Sequence, residues 1–240
     1  MTPSHQSARV ESVVPEWAAR PGRAVIFDFN GTLSDDEPIL EAIFIELFAE
    51  HLGWTMDPEE YRHTLLGHSD REIVQIAVAR HLGGGAPEPM VDHLLARRRE
   101  RYRQLVAEHS PILPATVELV ERLAAAGVPM AIVTGAQRPD VEAVLAASPA
   151  GPHIRAMVTE EDVRVGKPDP EGFLRGARLL GVEPSDVLVF EDSIPGVTGA
   201  LAAHMHCVAV IGPHTHPDVA RLAPAWVRSL SVDVLAGSGI

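Results

Sequence analysis

The sequence predicts an α/β fold: a doubly wound parallel sheet carrying a smaller inserted α-helical domain. Three observations support this. Five short runs, "AVIFDF", "PMAIVTG", "RAMV", "DVLVFED" and "CVAVIG", are rich in β-branched residues and largely lack polar alternation. That pattern belongs to strands buried on both faces. Amphipathic helical stretches separate the runs, as crossovers in a parallel sheet require. The spacing breaks once, because residues 37–113 contain no convincing strand, far more chain than one crossover helix needs.

Taken in order, residues 1–22 hold no long apolar run and are expected to form a loosely ordered lead-in. The core is expected over 23–36 and 114–240, with a helical cap domain over 37–113. The first cap helix places Leu40, Ile43, Phe44, Leu47 and Phe48 on one stripe before Gly53, the next starts at "DPEEY", and a third opens with a capping box from Ser69 to Glu72. "GGGAPEP" then leads to a long fourth helix from Met90 to about Glu108, whose "RRRERYR" reads as a solvated face. Back in the core, "LPATVELVERLAAAG" presents Val117, Val120, Leu123 and Ala124 and stops at Gly127. "DPEGFLRGARLLG" starts at Asp169 and Pro170 and stops at Gly181.

Composition excludes several roles. A formal charge of -13 repels polyanions, and no basic stripe interleaves with aromatics, so no nucleic acid partner is expected. No run approaches the roughly 20 apolar residues of a membrane span. The single cysteine, Cys207, lies in an apolar run and reads as a buried, inert thiol suited to a reducing cytoplasm. A monomer or homodimer is expected. Of the 20 basic residues only Lys167 is a lysine, so any mechanism needing a side-chain amine must use it.

Ligands of open parallel sheets collect beyond the carboxyl ends of the strands. That edge receives Asp28, Thr134, Glu191 and Asp192, and Lys167 precedes a helix start that can bring it there. Three carboxylates suit a hard divalent cation such as Mg2+, while an ammonium and a hydroxyl suit phosphate oxygens.

"DFNGTLSDDEP", "VTG", "GKPDP" and "VFEDSIPG", in that order and with a helical insert after the first, resemble the four motifs of the haloacid dehalogenase superfamily. The subgroup is similar to β-phosphoglucomutase and phosphoglycolate phosphatase, and the likeness covers about 24–212. It implies a Rossmann-like core, a mobile helical cap and hydrolysis of a small phosphorylated metabolite with Mg2+. Asp28 is then the nucleophile that forms an aspartyl-phosphate. Thr134, with the Gly135 amide, binds the transferring phosphoryl group, and Lys167 neutralises developing charge. Asp28, Asp192 and the main-chain carbonyl of Asn30 hold the metal, with Glu191 in support.

Asn30 departs from the phosphatase pattern, which places an acid-base aspartate there. An amide exchanges no proton near neutral pH. Four readings stand: a natural residue with Asp35, Asp36 or Glu37 partly substituting; an engineered replacement; a reaction that needs no such acid, as in dehalogenases; or ligand binding without turnover. Phosphonate-cleaving relatives use a cap lysine, which this cap lacks. Dehalogenases of the superfamily carry Tyr here and need no metal, whereas Glu191 and Asp192 look retained for one. In the cap, "LLGHSDRE" makes His68 and Arg71 the candidates for substrate contact.

Overall fold

A computed structural model describes residues 7–65, 69–213 and 215–240. The chain divides into two compact units, one of residues 1–35 with 110–240 and one of 36–109.

In the first unit, α1 (Ser7–Ala18) leads into β1 (Ala24–Phe27). After the inserted unit the chain continues through α6 (Pro114–Ala125), β2 (Met130–Val133), α7 (Arg138–Ala146), β3 (Ile154–Val158), α8 (Glu171–Leu180), β4 (Val187–Glu191), α9 (Ile194–Ala202), β5 (His206–Val210), α10 (Val219–Leu222) and β6 (Ala225–Val227). The six strands are all parallel, in the order β3-β2-β1-β4-β5-β6. The doubly wound sheet expected from the sequence is therefore present. Every residue of β1, β2 and β4 is buried, as continuous apolar runs require. One core layer joins Ile26, Val133 and Val189 to Phe173 of α8 and Val197 of α9. Gly176 sets how closely α8 approaches, since a Cβ there would lie 3.0 Å from both Ile26 Cδ1 and Val133 Cγ2. Cys207 is fully buried, and burial pushes its thiol well above the usual range.

Two expectations for this unit are corrected. The N-terminal segment is not loose over its described part: α1 packs against β4, β5 and β6, and Val14 and Trp17 are fully buried. The Trp17 indole donates to the carbonyls of Ala24 (3.1 Å) and Asp186 (3.0 Å), so an apolar stripe at Val10, Val13, Val14 and Trp17 is anchored by a polar pin. The sheet also gains β6, a strand of three residues too short to stand out as a run.

The second unit is helical: α2 (Glu37–Leu52), α3 (Pro58–Thr64), α4 (Asp70–Leu82) and α5 (Glu88–Glu108). α2 ends at Gly53 in the left-handed conformation, and α4 begins with the expected Ser69–Glu72 capping box. The "RRRERYR" run is only partly solvated. Arg98 is buried against Asp70 (2.9 Å) with its guanidinium 4.8 Å from the Tyr102 ring centroid, and the buried Tyr102 hydroxyl donates to Asp36 at 2.5 Å. Asp36 accordingly does not cap α2 with its side chain. Among the described residues, no helix is long and apolar enough to cross a membrane.

Candidate active site

The strand order reverses at β1, where β2 continues on one side and β4 follows on the other. Such a switch point leaves a crevice beyond the carboxyl ends of the two central strands. Phe27 of β1 pairs with Phe190 of β4 and stacks on it at 5.5 Å, and the Asp28 amide donates to the Phe190 carbonyl at 2.9 Å. Asp28 and Glu191 therefore leave the sheet side by side. Thr134 directly follows β2 and stays in register through its amide, which donates to the Val158 carbonyl at 2.9 Å. Its hydroxyl accepts the Ala136 amide at 3.0 Å and fixes the turn that holds Gly135.

Lys167 reaches this edge from the loop before α8. Its ammonium bonds to Asp28 Oδ1 and to Glu191 Oε1, the latter at 2.5 Å, and lies 5.4 Å from the Phe173 ring centroid. The other Glu191 oxygen accepts the amide (2.7 Å) and hydroxyl (2.9 Å) of Ser193. Glu191 is thus fully buried and bonded through both oxygens. Gly196 is required here, because any Cβ would overlap the Glu191 carboxylate. Asp192 accepts from the Thr32 hydroxyl at 3.3 Å and lies over Gly31, whose φ of 75° and missing Cβ leave room for its carboxylate.

Electrostatics follow from the burial. Desolvation raises the Asp28 carboxyl from 3.8 to about 7; the Lys167 ammonium pulls it down and the Glu191 charge adds to the rise. Burial works against the Lys167 ammonium, but Asp28 and Glu191 together outweigh it and hold the group above its ordinary value. Asp28, Glu191 and Asp192 each offer a carboxylate oxygen, all within 4.8 Å of one another. An all-oxygen donor set with one carboxyl forced toward its neutral form fits a hard divalent cation, whose charge would favour the ionised state.

The five residues expected at the sheet edge, Asp28, Thr134, Lys167, Glu191 and Asp192, belong to one unit; Lys167 joins Asp28 to Glu191, and Asp192 lies in the same carboxylate group. Asn30 sits in the turn after Asp28, bridged to Ser34, and the Gly31 amide donates to the Ser34 carbonyl at 2.9 Å. In the helical unit, Arg71 donates to Glu88 (2.7 Å) and Asp92 (2.8 Å). His68 lies outside the described residues. Sequence reasoning passed over Thr32, Ser193, Gly31 and Gly196. Their signal was position, since each lies within five residues of a motif carboxylate.

Comparison with known proteins agrees with this arrangement. The family described as haloacid dehalogenase-like hydrolase matches residues 23–204. Protein CbbY of Rhodobacter capsulatus is 33% identical over 204 residues, covering 82% of this chain and 88% of that protein. Hexitol phosphatase A of Escherichia coli is 34% identical over 197 residues, covering 81% and 86%. Among solved structures, a variant of CbbY from Rhodobacter sphaeroides in complex with xylulose 1,5-bisphosphate is 29% identical, covering 87% of this chain and 95% of that one, with a TM-score of 0.74. The ordered motifs, the parallel sheet that displays them and these matches together make the chain a member of the haloacid dehalogenase-like hydrolase family.

Proposed function

We propose that this hydrolase is a phosphatase of small phosphomonoesters, that it works through an aspartyl-phosphate on Asp28, and that it uses Mg2+. The observation that supports this best is the Asp28–Lys167–Glu191 cluster, in which a buried carboxylate is kept ionisable by an ammonium that bonds Glu191, itself fixed by Ser193. Relatives whose names specify hexitol phosphate hydrolysis, and one held with a sugar bisphosphate, support the substrate class.

In this mechanism a carboxylate oxygen of Asp28 attacks phosphorus, and the bond from phosphorus to the substrate oxygen breaks with its electron pair. The Thr134 hydroxyl and Gly135 amide bind the equatorial oxygens, and Lys167 offsets the charge that builds on them. Water then attacks the phosphoaspartate, releasing orthophosphate and restoring Asp28. Asp28, Asp192 and the carbonyl of Asn30, with Glu191 alongside, would hold Mg2+, which supplies charge neutralisation between nucleophile and phosphoryl group. The departing alkoxide takes its proton from solvent, since Asn30 has none to give. The consequence is slow turnover on esters with poor leaving groups, by about 10^2 to 10^4 relative to an aspartate at that position. A cytoplasmic setting belongs to the same reading, in keeping with a single buried thiol.

Phosphate release from p-nitrophenyl phosphate and from alkyl phosphates, with and without Mg2+, tests this in the native chain and in Asn30→Asp. Release by both with Mg2+, and a larger gain for Asn30→Asp on alkyl esters than on the aryl ester, is the expected result. No release by either protein would replace the phosphatase reading with that of a phosphate-ligand-binding protein, the alternative that Asn30 itself favours.

A further inference from the structure

The residue after Asn30 is Gly31, and the site itself dictates that neighbour. A Cβ at position 31 would lie 2.3 Å from Asp192 Oδ2, and the backbone there has a φ of 75°, so only glycine fits beneath the Asp192 carboxylate. Asparagine followed by glycine is the pair that loses its side-chain amide most readily, because no Cβ shields the next backbone nitrogen from the amide carbon. Both residues are half-buried, so water reaches the turn. The turn follows Asp28 directly, and the mechanism proposed above lacks one group, a proton donor for the departing alkoxide.

We infer that Asn30–Gly31 is a self-modification site, at which the Asn30 amide hydrolyses to a carboxylate and so supplies the missing acid-base group. The inference rests on the phosphatase reading and adds a maturation step to it. The Gly31 nitrogen attacks Asn30 Cγ, the bond from Cγ to the amide nitrogen breaks, and ammonia leaves with the proton that Gly31 gives up. Water then opens the succinimide ring. Opening at Cγ restores the main chain and leaves an aspartate, whereas opening at the main-chain carbonyl leaves an isoaspartate. The turn selects the first product. Its amides are held from Gly31 to the Ser34 carbonyl (2.9 Å), from Ser34 to the Phe29 carbonyl (2.9 Å) and from Thr32 to the Phe29 carbonyl (3.3 Å), and an isoaspartate would insert an extra main-chain carbon among them. The bond from Gly31 to Ser34 must open before the nitrogen attacks, so conversion is slower in the folded chain than in the unfolded one. With a gain of about 10^2 to 10^4 per converted molecule on esters with poor leaving groups, a converted fraction of about one in a hundred already matches the turnover of the rest.

The test is incubation of the purified chain at mildly alkaline pH, sampled over days. Peptide mass spectrometry reads the change from amide to acid at position 30, isoaspartyl methyltransferase separates the two linkages, and phosphate release from an alkyl phosphate with Mg2+ reads the effect. The folded chain should convert mainly to the normal linkage, and more slowly than the same chain in urea. Release should rise in proportion to the converted fraction, toward the level of Asn30→Asp and by about 10^2 to 10^4 at completion. Asn30→Gln, whose longer side chain must close a larger and slower ring, should show neither change. No conversion in the folded chain, conversion to isoaspartate alone, or conversion without a gain while Asn30→Asp is fast, overturns the inference. If Asn30→Asp itself releases no phosphate from alkyl or aryl esters, the phosphatase reading falls, and the mass change still decides whether Asn30–Gly31 is a modification site.

Discussion

Replacing Lys167 by methionine should add a fall of stability with pH in a range where Asp28 contributes no slope in the native chain. In the native chain the Asp28 carboxyl is raised from 3.8 to about 7, which at about 1.4 kcal/mol per pKa unit means that ionising it costs about 4 kcal/mol even with the ammonium beside it. A raised acid stabilises the folded state most below its unfolded value and loses that contribution as pH climbs to its folded value. From Asp28, then, native stability declines between about pH 4 and 7 and levels off above. Lys167 adds no slope there, because its folded value lies above 10.5 and it is protonated in both states. Without the ammonium, Asp28 faces Glu191 in a site where their side chains are only 10% and 1% exposed, so its carboxyl rises further and keeps its proton beyond pH 7. The decline then continues above pH 7 at up to about 1.4 kcal/mol per pH unit for as long as Asp28 keeps its proton, adding at most about 3 kcal/mol of destabilisation by pH 9. Urea unfolding with EDTA at pH 5, 7 and 9 measures it. Curves for Lys167→Met and the native chain that run parallel from pH 7 to 9 would refute the reasoning.

Other consequences follow from the same geometry. Below about pH 7 a proton competes with any cation for Asp28, so apparent Mg2+ affinity should fall by up to tenfold per pH unit under that value and level off above it. Calorimetry in two buffers of different ionisation enthalpy should show about one proton released at pH 6; an affinity constant from pH 5.5 to 8 would contradict this. Gly196→Ala drives a methyl group into the Glu191 carboxylate and should cost about 1–3 kcal/mol, lowering Tm by about 3–10 °C along with phosphate release. An unchanged Tm would show that Glu191 moves freely. Tyr102→Phe removes the donor at 2.5 Å from buried Asp36 and should lower stability by about 1–3 kcal/mol in urea melts, whereas a neutral result would mean that the hydroxyl contributes no net stability.

The sequence by itself determined the features whose physics is local. A strand buried on both faces must be apolar throughout, so β1, β2 and β4 were legible in "AVIF", "MAIV" and "VLVF". The capping box at Ser69 and Glu72 spans three residues and needs no distant partner. The edge rule brought Asp28, Thr134, Glu191 and Asp192 together because strand ends of a parallel sheet share one side. α1 was not read from the sequence: its stripe of Val10, Val13, Val14 and Trp17 is short and interrupted by Pro15, and only packing against the sheet buries it. Tertiary structure decided what depends on partners far along the chain. Arg98 looks like its solvated neighbours until Asp70, 28 positions earlier, draws it inside. Glu191 reads as one more strand-end carboxylate, and only the fold shows that it bonds the Lys167 ammonium through one oxygen and Ser193 through the other. The Asp28 carboxyl near neutrality is a tertiary property as well, because desolvation depends on what the fold packs around a group and periodicity along the chain carries no record of it.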